Sequence, residues 1–385
     1  MSDTPLKALH EAAGASFTDF AGWSMPVSYG SDLAEHHAVR TAAGLFDISH
    51  MAEILVIGPD AAAALDHALA GRLSASALGQ ARYTLLLTAE GGIVDDLVVY
   101  RTAEDRYLVV ANAGNRADVA RELLERCAGF DVEVFDESDD IALLALQGPR
   151  AAEILERTPG VAVPGLAGLG RYRSAAGRFG EHELLLGRTG YTGEDGFELY
   201  LAPEAAPELW RALLAAGACA GLIPCGLAAR DTLRLEAGMP LYGHELGRDI
   251  LPVQAGLGGV VALTKPGDFV GRAAVERGPA PDAPVLVGLS LPGRRAGRSG
   301  YPVHLAAADG DGPIGTGPIG AGPVGTVTSG ALSPTLGHPI AMAYVAPGLA
   351  DGATPLAVEV RGTRIPASVV PLPFYTRPFD TRKKN

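Results

Sequence analysis

Only three cysteines occur in the 385 residues, Cys127, Cys219 and Cys225, and none stands in a CxxC pair. A disulfide framework and a zinc site are therefore unsupported, and all three read as reduced core thiols. The nine histidines form no HExxH. The adjacent pair His36 and His37 points about 100° apart on a helix, so a metal site has no local support. No G-x-S-x-G elbow and no GxxxxGK[ST] loop is present, which argues against acyl-enzyme hydrolysis and P-loop nucleotide chemistry. No apolar run reaches the ~18 residues of a membrane span, and residues 1–20 lack a basic segment followed by an apolar one, so we expect a cytoplasmic chain with no membrane partner. A net charge of -13 argues against nucleic acid as a partner.

One apparent motif is discounted. Gly315 to Gly320 and Gly320 to Gly325 each fit GxGxxG, but the following Thr326, Val327 and Thr328 are strand-like, and the fingerprint requires a helix there to aim its dipole at a pyrophosphate. Prolines also remove backbone donors. We read residues 312–325 as a glycine and proline expansion of a loop, with no flavin or nicotinamide site.

What is present is a globular composition, 48% hydrophobic and 19% charged, with length for two or three domains. Asp32 and Glu35 resemble a capping pair that opens a helix closed by Gly44, with Leu33, His37 and Thr41 on one face. Residues 53–57, 83–88, 93–100 and 106–111 read as strands, and 60–70 as a helix between the first two. Asn115 is placed as the N-cap of a helix with Val119, Leu123 and Cys127 along one face. Strands follow at 132–135 and 141–146, Pro149 opens a helix, and a second strand-and-helix block covers 183–237. From about residue 282 the pattern becomes short strands, at 285–291, 340–345 and 357–360, parted by glycine and proline turns. The expected class is α+β, ending in a small all-β barrel or jelly-roll domain.

Three polar sites stand in apolar surroundings. The first is Gly91-Gly92-Ile93-Val94-Asp95-Asp96-Leu97-Val98-Val99-Tyr100. A buried carboxylate without a partner costs several kcal/mol or takes up a proton, so an aspartate here is tightly hydrogen-bonded, catalytic, or left near solvent at the end of a hairpin. Alternation places Asp95 with Ile93, Leu97 and Val99, and Asp96 with Val94, Val98 and Tyr100, on opposite faces. The residues alone do not choose between the two aspartates. The second site runs from Gly187 to Tyr200. If Phe197, Leu199 and Leu201 face the core, Glu198 and Tyr200 share the other face and offer a carboxylate beside an aromatic wall to a flat heterocycle with adjacent N–H donors. A solvated Glu198 on a hairpin is the alternative. In the third site, Cys225 to Glu236, Arg230 and Arg234 share a helix face; the ordinary explanation is a salt-bridged surface with Asp231.

Six blocks in order carry a resemblance: Phe20-Ala21-Gly22-Trp23-Ser24-Met25-Pro26-Val27-Ser28-Tyr29, Gly44-Leu45-Phe46-Asp47-Ile48-Ser49-His50-Met51, the segment Gly91 to Asp96, Arg188 to Glu198, Gly226 to Glu236, and Thr328-Ser329-Gly330-Ala331-Leu332-Ser333-Pro334-Thr335-Leu336-Gly337. Together they resemble the aminomethyltransferase, or T-protein, family of the glycine cleavage system, from about Pro5 to Tyr375. The resemblance implies a folate-binding portion of two α/β subdomains at 1–280, a C-terminal β-barrel or jelly-roll-like domain at 281–378 and a flexible tail at 379–385, arranged around a central folate channel.

The activity so implied takes an aminomethyl group from the dihydrolipoyl arm of a lipoylated H-protein and passes its one-carbon unit to tetrahydrofolate, the co-substrate, with release of ammonia. By motif position, Asp96 matches the catalytic carboxylate. Glu198 matches the residue that grips the pterin edge, and Arg230 an arginine of that pocket. Met51, Tyr83, Tyr100, Asn112 and Tyr191 match positions that wall the folate or the lipoyl entrance. Met239 departs from relatives with tyrosine there. A folate-dependent demethylase of the same fold and a non-enzymatic folate binder are the rival expectations. Folate-binding relatives in iron–sulfur maturation usually carry a Lys-Gly-Cys-Tyr type motif, which is absent here.

Overall fold

A computed structural model of the chain describes residues 1–306 and 322–377. The expectations for most of the 312–325 loop and for the 379–385 tail lie outside the described residues.

Two sheets face one another across the first two thirds of the chain. One is five-stranded and antiparallel, in the spatial order Ala81–Leu87, Ile93–Arg101, Arg106–Ala111, Ala52–Ile57 and Glu133–Asp136. The other has seven strands, Val161–Ala162, Ser174–Phe179, His182–Gly187, Gly196–Leu201, Ala142–Gln147, Ala43–Asp47 and Leu222–Pro224, of which only the last pair is parallel. The outer face of the five-stranded sheet packs Ile54, Val56 and Val109 on helices Ala61–Ala68 and Arg116–Cys127. Leu144, Leu146, Phe197 and Leu199 of the seven-stranded sheet pack on helices Ala151–Arg157 and Ala206–Gly217. Between the sheets, Phe46, Leu108, Val110, Leu143 and Tyr200 form a third apolar layer, which also takes Val39, Ala229 and Leu233 from helices Asp32–Thr41 and Leu227–Glu236.

The third portion is a closed six-stranded barrel, in the order Val285–Ser290, Pro339–Val345, Gly325–Leu332, Pro302–Leu305, Leu356–Val360 and Thr363–Val370. Of the two all-β forms expected, the closed barrel is the one formed, and closure removes the exposed sheet edges. Its Ala331, Ile340 and Met342 pack on Leu235 of helix Leu227–Glu236. A buried polar cluster reinforces this joint. Glu236 accepts from Arg40 at 2.8 Å, from Ser333 at 2.5 Å and from Thr335 at 2.7 Å, and His36 Nε2 lies 3.2 Å from it. Arg40 also donates to Glu194 at 2.9 Å and lies 4.2 Å from the ring of Tyr375, whose backbone N–H donates to Glu236 O.

Several local expectations are corrected. The cap of helix Asp32–Thr41 is Ser31, which accepts from Ala34 N, while Glu35 is buried and accepts from the N–H groups of Tyr29 and Gly226. Gly44 lies within the strand Ala43–Asp47 rather than closing that helix, and Leu33, His37 and Thr41 mark its solvent face. Asn115 is at the cap position but its amide is spent on Asp95, not on the helix. Arg234 is not a surface residue: it is 2% exposed and pairs with Glu245 as well as Asp231. Cys127 and Cys225 are core thiols, whereas Cys219 is exposed.

The strict alternation expected from Ile93 onward also fails, for a physical reason. Leu86 pairs with Asp95 and Leu87 with Ile93, so Val94 is an extra residue in a β-bulge. Val94 thereby joins Leu97 and Val99 in the outer core. The bulge follows the tight turn at Gly91, φ +85°, and the approach of Arg248, whose carbonyl oxygen leaves Gly92 no room for a Cβ.

Candidate active site

A cavity of about 450 Å³ opens in the gap between the two sheets, within the range of small-molecule sites. The five-stranded sheet contributes Asp96 and Val98 from strand Ile93–Arg101, Tyr83 from its neighbour, and Val110 and Asn112 from the next strand and its end. The seven-stranded sheet contributes Leu143 and Glu198, with Thr189 and Tyr191 from the loop before Gly196. Arg230 reaches in from helix Leu227–Glu236, and the loop after that helix adds Met239, Leu241 and Tyr242.

Asp96 is held at both oxygens. Tyr83 donates its hydroxyl to Oδ2 at 3.0 Å, and Asn112 donates its side-chain amide to Oδ1 at 2.9 Å. Burial raises its pKa, and those two donors oppose the shift. The carboxylate is thus fixed in direction and poised to hold a proton more readily than an exposed aspartate. Asp95 is fully buried, which rules out the solvated hairpin end, and it is pushed up to about 7 by burial and then by the charge of Asp96.

Across the cavity, alternation in strand Gly196–Leu201 runs as expected: Phe197, Leu199 and Leu201 enter the outer core, Tyr200 the inter-sheet layer, and Glu198 the cavity. Glu198 Oε2 accepts from Thr189 at 2.5 Å and from Tyr100 at 3.1 Å. The Tyr200 hydroxyl, 3.4 Å away, completes a hydroxyl cradle behind it. Tyr100 itself stands behind Glu198 and is not part of the cavity wall. A carboxylate anchored through one oxygen is preorganised to receive a planar pair of N–H donors.

Arg230 lies 4.8 Å from the Tyr191 ring in a cation–π contact, and Tyr191 donates its hydroxyl to Pro240 O at 2.5 Å. Burial lowers the pKa of Arg230, opposed by Tyr191 and Glu198, so it stays a cation in the wall. Met51, beside the Ile48 turn, also lines the cavity. Seven of the eight residues singled out from the sequence, Asp96, Glu198, Arg230, Met51, Tyr83, Asn112 and Tyr191, therefore meet around one space.

Sequence reasoning missed His50 and Tyr172. His50 lines the cavity, its Nδ1 is buried without a hydrogen-bond partner among the described residues, and burial, with the charge of Arg230, holds it down at about 3 as a neutral imidazole. Its position beside Met51 in the quoted block was the available signal. Tyr172 lines the same cavity with φ +53°, a left-handed backbone rare outside glycine and invisible to periodicity. Among the described residues no group of three or more His, Cys, Asp or Glu side chains converges as metal ligands do.

Two facing sheets, with a barrel packed on helix Leu227–Glu236, thus enclose a cavity walled by Asp96, Glu198 and Arg230. Residues 6–265 match the GCVT N-terminal domain, and residues 285–376 match the glycine cleavage T-protein C-terminal barrel domain. The chain is 56% identical to an aminomethyltransferase of Cutibacterium acnes over 97% of its own length and 98% of that protein. It is 53% identical to one of Saccharopolyspora erythraea with the same coverage. The crystal structure of glycine cleavage system aminomethyltransferase T from Bartonella henselae superposes with a TM-score of 0.85, at 38% identity and 98% coverage of both chains. The chain belongs to the aminomethyltransferase family of the glycine cleavage system, and it is a transferase of that class.

Proposed function

We propose that the chain moves the one-carbon unit of an aminomethyl group, carried on the dihydrolipoyl arm of a lipoylated H-protein, to tetrahydrofolate. Ammonia and 5,10-methylenetetrahydrofolate are the products. The observation that carries this reading is the pairing of Asp96 and Glu198, supplied by opposite sheets to one largely apolar cavity, with Arg230 between helix and pocket. In this reading residues 1–280 bind folate and the barrel from 281 backs the helix that carries Arg230. The unpaired Cys127, Cys219 and Cys225 suit a reducing, cytoplasmic compartment.

The donor set fits the co-substrate. Glu198, anchored through Oε2, grips the aminopyrimidinone edge of the pterin. Tyr83, Met51, Tyr191 and Asn112 wall the ring system or the lipoyl entrance, and Tyr100 steadies Glu198 from behind. Tetrahydrofolate supplies two nitrogens, which replace the sulfur and the amine nitrogen on the transferred carbon. Two N–H protons are released from those nitrogens, and the sulfur and the departing ammonia each take one. Asp96, fixed in direction and ionised at the start, stabilises positive charge developing at nitrogen and, with its raised pKa, then takes up a proton at its carboxylate during that exchange. Apolar walls exclude water and strengthen both effects.

The test is turnover with purified protein, tetrahydrofolate and aminomethylated lipoyl carrier, following ammonia, with dimethylglycine and a methoxylated aromatic as rival donors. Carrier-dependent ammonia release is expected. Activity only with a rival donor would move the chain to the demethylase branch, and folate binding without any turnover would make it a binding protein.

A further inference from the structure

Asp95 does not line the cavity, yet it is 0% exposed in a strand whose outward neighbours Val94, Leu97 and Val99 are apolar. A buried carboxylate beside a second carboxylate is a costly choice where a leucine would pack. The structure shows what the cost secures. Asp95 Oδ2 accepts the backbone N–H of Asn112 at 3.0 Å, and Oδ1 accepts the Asn112 side-chain amide at 2.7 Å, so one carboxylate holds Asn112 at two points. Asn115 fills the remaining position on Oδ1 at 2.7 Å, leaving its helix uncapped by that side chain.

The same Asn112 nitrogen donates to Asp96 Oδ1 at 2.9 Å. A planar amide has two N–H bonds at a fixed angle, so aiming one at Asp95 aims the other at Asp96. Chemistry fixes the amide's orientation, since the reverse would set its oxygen against two carboxylates. We propose that Asp95 is a positioning residue for the transfer reaction, acting through Asn112 to fix the direction of the Asp96 carboxylate. This rests on the reading of Asp96 as the carboxylate that meets the reacting nitrogens. The adjacent aspartates on opposite strand faces thus form one unit: Asp96 in the cavity, Asp95 behind the sheet, and the Asn112 amide between them.

The experiment compares Asp95→Asn, Asp95→Ala, Asp96→Asn and the double variant Asp95→Asn/Asp96→Asn in the full chain, with kcat expressed per folate-binding site counted by calorimetry. Asp95→Asn keeps an acceptor oxygen for Asn112 but loses the second anchor. It is expected to lower kcat about 10-fold or more with the folate KM within about twofold of the parent, because misdirection of a reacting group acts on the chemical step. Asp95→Ala is expected to lose more, and if that variant does not fold, the isosteric Asp95→Asn decides. The double variant is expected to match Asp96→Asn within about twofold, since a residue acting through Asp96 has nothing left to position. Parental kcat per site in Asp95→Asn, with or without a drop in melting temperature, overturns the proposal, and so do losses that multiply in the double variant. Asp96→Asn at the parental rate would instead overturn the assignment of Asp96 itself.

Discussion

The hydroxyl of Tyr100 lies 3.1 Å from Glu198 Oε2, although the two residues belong to different sheets. That contact joins the sheets at the rear of the cavity and sets the height of the carboxylate within it. Tyr100→Phe removes one donor and leaves Thr189 in place. Loss of one hydrogen bond costs about 1 kcal/mol, so folate binding should weaken roughly 3- to 10-fold by calorimetry, with the fold intact. Unchanged affinity would mean that Thr189 alone holds Glu198.

Glu198→Ala should do more, because the pterin N–H edge would enter a dry pocket without an acceptor. Folate affinity is expected to fall about 10-fold or more. Binding equal to that of the parent would show that Glu198 does not meet the pterin.

If ionised Asp96 is needed for turnover, its raised pKa carries into the rate profile. Activity should be full at high pH and fall as pH drops through a value above the ordinary aspartate figure of ~4. Asp96→Asn should lose most turnover while still binding folate. An acid limb at or below the ordinary aspartate value would count against this role.

The Glu236 cluster gives a stability prediction. Burial alone would raise this carboxyl, but hydrogen bonds and charge from His36, with Ser333 and Arg40, outweigh it and hold the pKa at about 2. A group depressed on folding stabilises the folded state above its unfolded pKa of ~4.3, and that contribution, on the order of 3 kcal/mol, is lost as pH falls from about 5 toward 2. Glu236→Gln should lower the denaturation midpoint at pH 7 and flatten the loss of stability below pH 5. Parallel acid-unfolding curves for parent and variant would contradict this.

Gly92→Ala tests the hairpin that presents the aspartates. A Cβ there would stand 1.7 Å from the Arg248 carbonyl oxygen, so backbone must move. A destabilisation of about 1–3 kcal/mol is expected in urea unfolding, with reduced turnover because the strand that carries Asp96 shifts. Parental stability would mean that the 248 segment yields freely.

Much of this site can be read from residue order, and the limits are physical. Period-two alternation across Phe197 to Leu201 places Glu198 correctly because nothing interrupts that strand. The same rule fails at Val94, where the turn and the 248 segment force an extra residue into the strand, a contact between parts of the chain more than 150 residues apart. Helical spacing set Arg230 and Arg234 on one face, but the packing of the barrel onto that helix, with Ser329 accepting from Arg234 at 2.8 Å, and the approach of Glu245 bury the second arginine. Asn115 sits where a cap belongs, and its choice of Asp95 instead depends on a strand that no local pattern connects to it.

The aromatic cover of Arg40 has a consequence for how the molecule is made. Arg40 leaves the ribosome well before Thr335, which shares its Glu236 partner, and Tyr375, which lies over it. Until they arrive, a cation and two acids in the cavity-bearing portion lack part of their final shell. Vectorial synthesis therefore completes this joint only after the barrel strands have been made, and the barrel supplies the missing partners to a portion already formed.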